Sequence, residues 1–348
     1  MLGRDCEITA VFERAREGGR GASFYNRKPK HFNQIICNSM PLGGINNWTR
    51  EPASILKKGD FDIIVLNGWR TFSEQNVISY CKNHKIPYIF YINGGIVPSK
   101  EAKWRYKYKR RNISGANLYF CPDERSKEYL IHYGANPERI LFYPYSTIYE
   151  HEVVKHSYDS SRRLRERKKA GYQHEHLFIS SGQFIPRKNF EQLIRLWNKL
   201  PEDYGLIITG EGPLKEKYEQ LIAELGLGSR IHLLPYQNHT DLLLMFRYCD
   251  GFVFSSKEDI YGHVINEAMS QGLPVISSNK VNAALNLIQD GVNGFVIDVD
   301  NEEAYLSSIQ NIQEDMREEA RKVALQYTIE KSSEFHLDIF QKFLGEEQ

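Results

Sequence analysis

The chain has no excess of charge of either sign. It carries 45 basic and 44 acidic residues, a formal net charge of +1, so no global field favours nucleic acid. Its five cysteines, Cys6, Cys37, Cys81, Cys121 and Cys249, are scattered, odd in number and without a C-x-x-C pair. That spacing argues against a disulfide framework or a thiolate zinc site and for reduced thiols in a cytoplasmic setting. No window approaches the roughly 18 apolar residues of a membrane span. The opening residues MLGRDCEITAVF lack the apolar core of a signal peptide. Without secretion, the three N-x-S/T sequons at Asn47, Asn112 and Asn238 carry no weight.

What the chain does have is alternation. Short, nearly continuous apolar runs recur: CEITAVF, QIIC, DIIVLNG, YIFYING, LYFCP and ILFYPY in the first half, then HLFISSG, GLIITGEG, RIHLLPY, GFVFSS, PVISS and GFVID. Such runs suit strands buried on both faces of a parallel sheet. Amphipathic stretches lie between most of them. After Pro213, for example, Leu214, Tyr218, Leu221, Ile222 and Leu225 recur at helical spacing up to Gly226. With 348 residues, this predicts an α/β protein of two doubly wound, Rossmann-like domains. Polar residues 151–175 read as a connector. The expected domains are 1–150 and 176–330, with ligands at the strands' carboxyl ends, in a cleft between domains.

The most informative stretch is SSKEDIYGHVINEAMSQGLPVISS. It predicts a strand, a loop, a short helix over 264–271 and a second strand. Gly272 caps the helix and Pro274 prevents its continuation. Gly262 lets backbone approach a ligand closely. The N–H groups of His263, Val264 and Ile265 at the helix start suit a diphosphate. Glu267, one turn in, suits two vicinal ribose hydroxyls.

Here the chain resembles family-4 glycosyltransferases of the GT-B architecture (glycosyl transferases group 1), of the type that builds bacterial surface polysaccharides. Their pattern is Glu, seven residues, Glu-Ala, then G-x-P-V-I. This chain reads Asp259, seven residues, Glu267-Ala268, then Gly272-Leu273-Pro274-Val275-Ile276. The first acid is Asp rather than Glu, so either Asp259 or its neighbour Glu258 takes the place near the transferred sugar. Gly182-Gln183-Phe184-Ile185-Pro186-Arg187-Lys188 falls where the family has G-R-L and a Lys that hold the donor diphosphate. Lys188 matches, Gln183 replaces the Arg, and Arg187 is its candidate substitute. Gly210-Glu211-Gly212-Pro213 matches a family turn, and Tyr236 follows the strand that receives the base.

The resemblance implies a nucleotide-sugar donor (UDP- or GDP-sugar) as substrate, no cofactor and no metal. It further implies retention of anomeric configuration and a glycan or lipid-linked acceptor on the first domain. There the strand ending Tyr91-Ile92-Asn93-Gly94 places Asn93 where the family usually has His. Residues 331–348 are the expected helix that crosses back to the first domain. The family's opening strand–helix unit has no counterpart before MLGRDCEITAVFER, which predicts an exposed apolar seam. An inactive, partner-stabilising subunit is therefore the rival reading, and a nucleotide-sugar epimerase a more distant one. The basic, aromatic run of residues 103–111 suits an anionic membrane surface, hence a peripheral position at the inner face of the plasma membrane; a solvated helix face remains open. Asp60-Phe61-Asp62 resembles a metal-binding D-x-D pattern but leads straight into an apolar run and reads as a polar approach to a strand. His132 reads as a helix-end residue.

Overall fold

A computed structural model describes residues 2–13, 31–41 and 47–346. Met1, Arg14 and the last two residues of the expected C-terminal helix lie outside them. The chain forms two compact units, Met1–Pro144 with Glu330–Gln348, and Tyr145–Ile329.

The first unit opens with β1 (Thr9–Phe12) and β2 (Asn33–Ile36), paired in parallel. A short hairpin, β3 (Met40–Pro41) with β4 (Asn47–Trp48), and α1 (Glu51–Lys58) follow. Then β5 (Val65–Asn67), α2 (Phe72–His84), β6 (Ile89–Tyr91), α3 (Lys103–Ile113), β7 (Leu118–Cys121), α4 (Glu124–His132) and β8 (Ile140–Phe142) alternate. Their strands make one parallel sheet in the order β5-β6-β7-β8. Local chemistry starts the helices. Thr71 and Glu74 form a reciprocal capping box at α2, and Asp123 accepts the Ser126 N–H at α4. On one face of the sheet, Phe90, Ile92, Tyr119 and Cys121 pack with Val77, Cys81, Leu130 and Tyr133. On the other, Tyr91 and Phe120 meet Phe335, His336 and Phe340 of the C-terminal helix. Among the described residues no ladder joins β1–β2 to β5, and Val11, Phe12, Ile36 and Val65 stand exposed.

In the second unit come α5 (Ser160–Lys169), β9 (His176–Ser181), α6 (Phe190–Trp197), β10 (Tyr204–Thr209), α7 (Lys215–Glu224), β11 (Ile231–Leu234) and α8 (His239–Tyr248). They are followed by β12 (Gly251–Phe254), α9 (Val264–Ser270), β13 (Val275–Ser278), α10 (Asn282–Leu287), β14 (Gly294–Ile297), α11 (Glu302–Gln310) and α12 (Met316–Gln326). The last helix, α13 (Ile329–Glu346), lies almost wholly in the first unit. The six strands are all parallel, in the order β11-β10-β9-β12-β13-β14.

The period-2 geometry of strands divides their apolar residues between two cores. Leu177, Ile179, Phe252, Phe254 and Val275 face α8, α9 and α10. Phe178, Val253 and Ile276 face α6, α7 and α11. Fully buried side chains such as Phe178, Phe252 and Trp197 contribute about 1.5–3 kcal/mol each. Both faces are covered, which is why the runs read as continuously apolar rather than alternating.

The segment 151–175 is not a connector. It belongs to the second unit, whose boundary is at Pro144 rather than residue 150. Its α5 exposes Arg162, Arg165, Lys168 and Lys169 to solvent but buries Arg163 and Arg167 against the unit. Arg163 Nε and Arg167 Nη2 reach the two oxygens of Asp250 at 3.1 and 2.8 Å. Asp250 Oδ2 also accepts the Leu177 N–H at 2.8 Å. The spare donors of Arg167 go to backbone carbonyls of Tyr248, His174 and Glu175.

Candidate nucleotide-sugar site

In the second unit β9 is the first strand and lies centrally, and the strand order reverses between β9 and β12. Ligands of doubly wound sheets bind outside the carboxyl ends of strands at such a switch point. The two loops that leave these ends, with α9 after the second, contain the sequence's candidate residues except Tyr236, which follows β11, and Asn93, which lies in the first unit.

The loop after β9 is packed before it is functional. Phe184 is fully buried among Phe190 and Tyr218. Its N–H donates to Glu211 O, and its O accepts from Leu214 N. The turn after β10 presses against this loop so closely that a Cβ at Gly210 would fall 1.9 Å from Gly182 O. The G-x-G-P turn is thus a packing element.

A second set of bonds sews the loop to the one after β12. Lys257 N and Ser256 Oγ both donate to Arg187 O, and Asn189 Nδ2 donates to Ser255 O. The outcome is a charge cluster. Lys188 Nζ is 2.5 Å from Asp259 Oδ2 and Arg187 Nη1 is 3.4 Å from the same oxygen. Lys188 is only 8% exposed and lies over the Phe254 ring at 4.4 Å. Burial pushes its ammonium below the usual lysine range, against the pull of Asp259. Arg187 is half-exposed, and Gln183 points into solvent. Of the two candidate acids, Asp259 joins the cluster. The Glu258 side chain is exposed, and only its carbonyl takes part, accepting from Arg187 at 3.2 Å.

Gly262 turns the chain into α9 with φ +98°, and a Cβ there would meet Val281 Cγ1 at 2.7 Å. Glycine is required on both counts. The expectation that the Ile265 N–H faces a ligand is corrected: it donates to Gly262 O at 3.0 Å, as the first turn closes on itself. His263 lies between the rings of Tyr145 and Tyr261, with centroids at 4.2 and 4.9 Å. Burial lowers its imidazole to about 4, so it is neutral at physiological pH. Val264 begins the helix.

Glu267 is positioned by residues that sequence reading missed. Thr147 Oγ1 donates to Glu267 Oε1 at 3.0 Å across 120 residues of sequence. Burial raises the Glu267 carboxyl above its usual range, and the Thr147 bond partly offsets this. His239 and Glu152 also act on its charge, and they pair with each other at 3.0 Å. Nothing local marks these three residues. Tyr236, in the loop after β11, is 70% exposed, so its ring is available to a ligand. Asn93 belongs to the first unit, exposed after β6, with its Oδ1 3.4 Å from Tyr143 Oη.

Residues 162–330 match the family model described as glycosyl transferases group 1. This part of the chain is similar to that family. One curated relative, the lipopolysaccharide core biosynthesis glycosyltransferase LpsE of Rhizobium meliloti, is 32% identical over 134 residues, 38% of either chain. Another is the N-acetylgalactosamine-N,N'-diacetylbacillosaminyl-diphospho-undecaprenol 4-alpha-N-acetylgalactosaminyltransferase of Campylobacter jejuni. It is 30% identical over 140 residues, 39% of this chain and 37% of its own. The matched stretch therefore spans under two fifths of each of these relatives.

Solved structures extend the likeness of fold to nearly the whole chain. HepE of Anabaena, in complex with UDP-glucose, superposes with a TM-score of 0.71 at 16% identity, covering 97% of this chain and 99% of its own. Sucrose-phosphate synthase of Thermosynechococcus elongatus gives 0.73 at 16%, covering 97% and 89%. The fold is α/β of the GT-B class, with two Rossmann-like units. The candidate residues from Gly182 to Glu267 lie within the stretch that matches the transferase family, and among the described residues no His, Cys, Asp and Glu side chains gather in a metal-holding group.

Proposed function

We propose that the chain is a glycosyltransferase that moves a sugar from a nucleotide-sugar donor to a glycan or lipid-linked acceptor, with retention at the anomeric carbon. The observation that carries this reading is the Arg187–Lys188–Asp259 cluster beside the α9 segment that bears Glu267, at the switch point of the second unit. Glu267 takes the ribose hydroxyls. Lys188 and Arg187 take the diphosphate, helped by the backbone after Gly262. The transferred sugar falls to Asp259, and Tyr236 lies against the base.

The chemistry follows from charge. As the bond from the anomeric carbon to the diphosphate oxygen breaks, negative charge grows on the diphosphate. Two preplaced cations stabilise it without reorganisation, so the step does not call on a metal. The acceptor oxygen bonds to the anomeric carbon, and its proton passes to the departing diphosphate. No protein base is then needed, which suits Asn93, an amide that carries no proton at neutral pH. UDP-glucose in HepE and the lipid-linked name of the Campylobacter relative support a UDP-sugar donor and an undecaprenol-linked acceptor.

The exposed face of α3 supports a peripheral position at the inner membrane face. Lys103, Trp104, Arg105, Lys107, Arg110 and Arg111 stand exposed there.

Calorimetric titration of UDP, GDP and ADP into the purified chain tests the donor site. One nucleotide binds selectively, and Glu267→Ala weakens it by about 1–3 kcal/mol. A folded chain that binds none of the three would instead match the inactive, partner-stabilising reading.

A further inference from the structure

Arg187 and Lys188 belong to a single 3-10 turn, Pro186–Lys188, that ends at Asn189. The Asn189 N–H closes the turn on Pro186 O at 3.2 Å. Asn189 itself is left-handed, with φ +58° and ψ +31°, and α6 starts from it. Among the described residues Lys85 is the one other non-glycine with a positive φ. Asparagine is among the few side chains that tolerate this region. The Asn189 side chain also departs from what asparagine does elsewhere in the chain. Asn136, Asn238 and Asn301 each accept a backbone N–H of the turn or helix that they precede. Asn189 stands at the same place before α6 and accepts none.

Its amide points to the neighbouring loop instead. Nδ2 donates to Ser255 O at 3.2 Å and to Gln192 Oε1, while Ser255 Oγ donates back to Asn189 O at 3.2 Å. Gln192 in turn donates to Val299 O at 2.8 Å. Asn189 and Ser255 are both buried, so water does not compete for these bonds. Ser255 follows directly on β12 and begins the loop that carries Asp259. The reciprocal clamp therefore joins the two segments whose side chains pair, Lys188 with Asp259 at 2.5 Å. We infer that Asn189 is a positioning residue for the donor diphosphate: its left-handed turn and its clamp on Ser255 hold Lys188 and Arg187 against the Asp259 loop, and so set the affinity for the diphosphate rather than for the nucleoside. The inference rests on the donor-site reading of Lys188 and Arg187 and deepens it. Asn189 need not touch the nucleotide. A cation that is held before the anion arrives loses little freedom on binding, whereas one on a loosened turn must be ordered at that moment.

Calorimetric titration of UDP, uridine, GDP and guanosine into the whole chain reads this as the ratio of diphosphate to nucleoside affinity. The wild type, Asn189→Ala, Asn189→Gly and Lys188→Gln are compared, with folding checked by circular dichroism. Asn189→Ala lacks both the clamp and the tolerance for a left-handed turn, so the ratio falls about tenfold while nucleoside affinity holds. Asn189→Gly keeps the turn and loses only the clamp, so the ratio falls less, about threefold. The glycine variant also decides the matter should Asn189→Ala fail to fold. A side chain that only supports the fold would lower the melting temperature and leave the ratio at its wild-type value. That result in the folded Asn189 variants, with Lys188→Gln still lowering the ratio, would overturn the inference and leave the donor site standing. A ratio unmoved by Lys188→Gln, or binding of neither UDP nor GDP, would overturn both.

Discussion

Lys188 Nζ and Asp259 Oδ2 are 2.5 Å apart although 71 residues separate them in the chain. The pair gives a buried ammonium its counter-charge. A diphosphate arriving at Lys188 competes with Asp259 for the same donor. The two residues then respond oppositely to substitution. Asp259→Asn removes the competitor, so free UDP or GDP binds a few-fold tighter, while sugar transfer falls by about 10²-fold because the residue that holds the sugar is neutral. Lys188→Gln weakens both binding and transfer. Calorimetry and a radiolabelled-sugar transfer assay separate the two outcomes. Parallel losses in both variants would contradict the competition.

Asp250 is a second ionic centre, with a structural role. It is shared by Arg163 and Arg167 and also holds the Leu177 N–H that starts β9. Asp250→Ala leaves two buried guanidinium groups short of charge and should cost about 3–5 kcal/mol. Urea unfolding followed by circular dichroism measures it. Nucleotide affinity of the still-folded fraction should not change, because these residues lie at the opposite end of β9 from the candidate site.

The same arginines show where sequence reading stops. The α9 segment was legible because its signals are local: Gly262, Gly272, Pro274 and the Asp259–Glu267 spacing each act within a few residues. The strands were legible because burial on both faces leaves a continuous apolar run. The segment 151–175 reads as a solvated connector because most of its charges are exposed, while the two that tie it to the second unit are buried and Arg163 finds its counter-ion 87 residues away. Thr147, Glu152 and His239 were invisible for the same reason. Their meaning comes from tertiary proximity to Glu267, which no spacing encodes. The Ile265 N–H escapes a sequence reading because helix-start donors generally lack an intrahelical partner, while here a single glycine carbonyl engages one.

Glu267 should trade stability for binding. Burial raises its carboxyl above the usual range. A raised folded-state value means that the group supports folding at pH below its unfolded value and loses that support as pH rises through the folded one. At neutral pH the ionised side chain is therefore a cost to the free protein. Glu267→Gln should raise the melting temperature at neutral pH yet weaken nucleotide binding about tenfold or more. Thermal scans at neutral and acidic pH check the first part, since the gain should shrink in acid. A lower melting temperature for the variant at neutral pH would contradict it.

Acid should also loosen the second unit through its histidines. His263 is lowered to about 4 from 6.5 by burial, and His174 and His232 are lowered in the same sense. A depressed value means that the stability is intact above the unfolded value and is lost as pH falls through the folded one. The His263 share of that loss, between 6.5 and about 4, is at most about 3 kcal/mol. His263→Phe keeps a ring between Tyr145 and Tyr261 and removes the titration. Urea unfolding at stepped pH should then give a shallower dependence than wild type. An unchanged slope would mean that His263 accepts its proton without strain.

Helix α3 offers the remaining test, because it belongs to the first unit and the donor-site candidates belong to the second. Trp104 is 65% exposed, with Arg105 over its ring at 5.2 Å, and the helix carries no acidic residue. A basic face with an exposed indole fits anionic headgroups above an apolar boundary. The chain should co-sediment with vesicles rich in phosphatidylglycerol and not with phosphatidylcholine, and salt should release it. Each basic residue near the surface contributes about 1 kcal/mol, so Lys107→Glu with Arg111→Glu should lower partitioning by well over tenfold. Trp104→Ala should weaken it at every salt concentration, because the indole acts by burial rather than charge. Nucleotide binding should be unaffected in both variants. Equal sedimentation with neutral and anionic vesicles would assign the face to solvent.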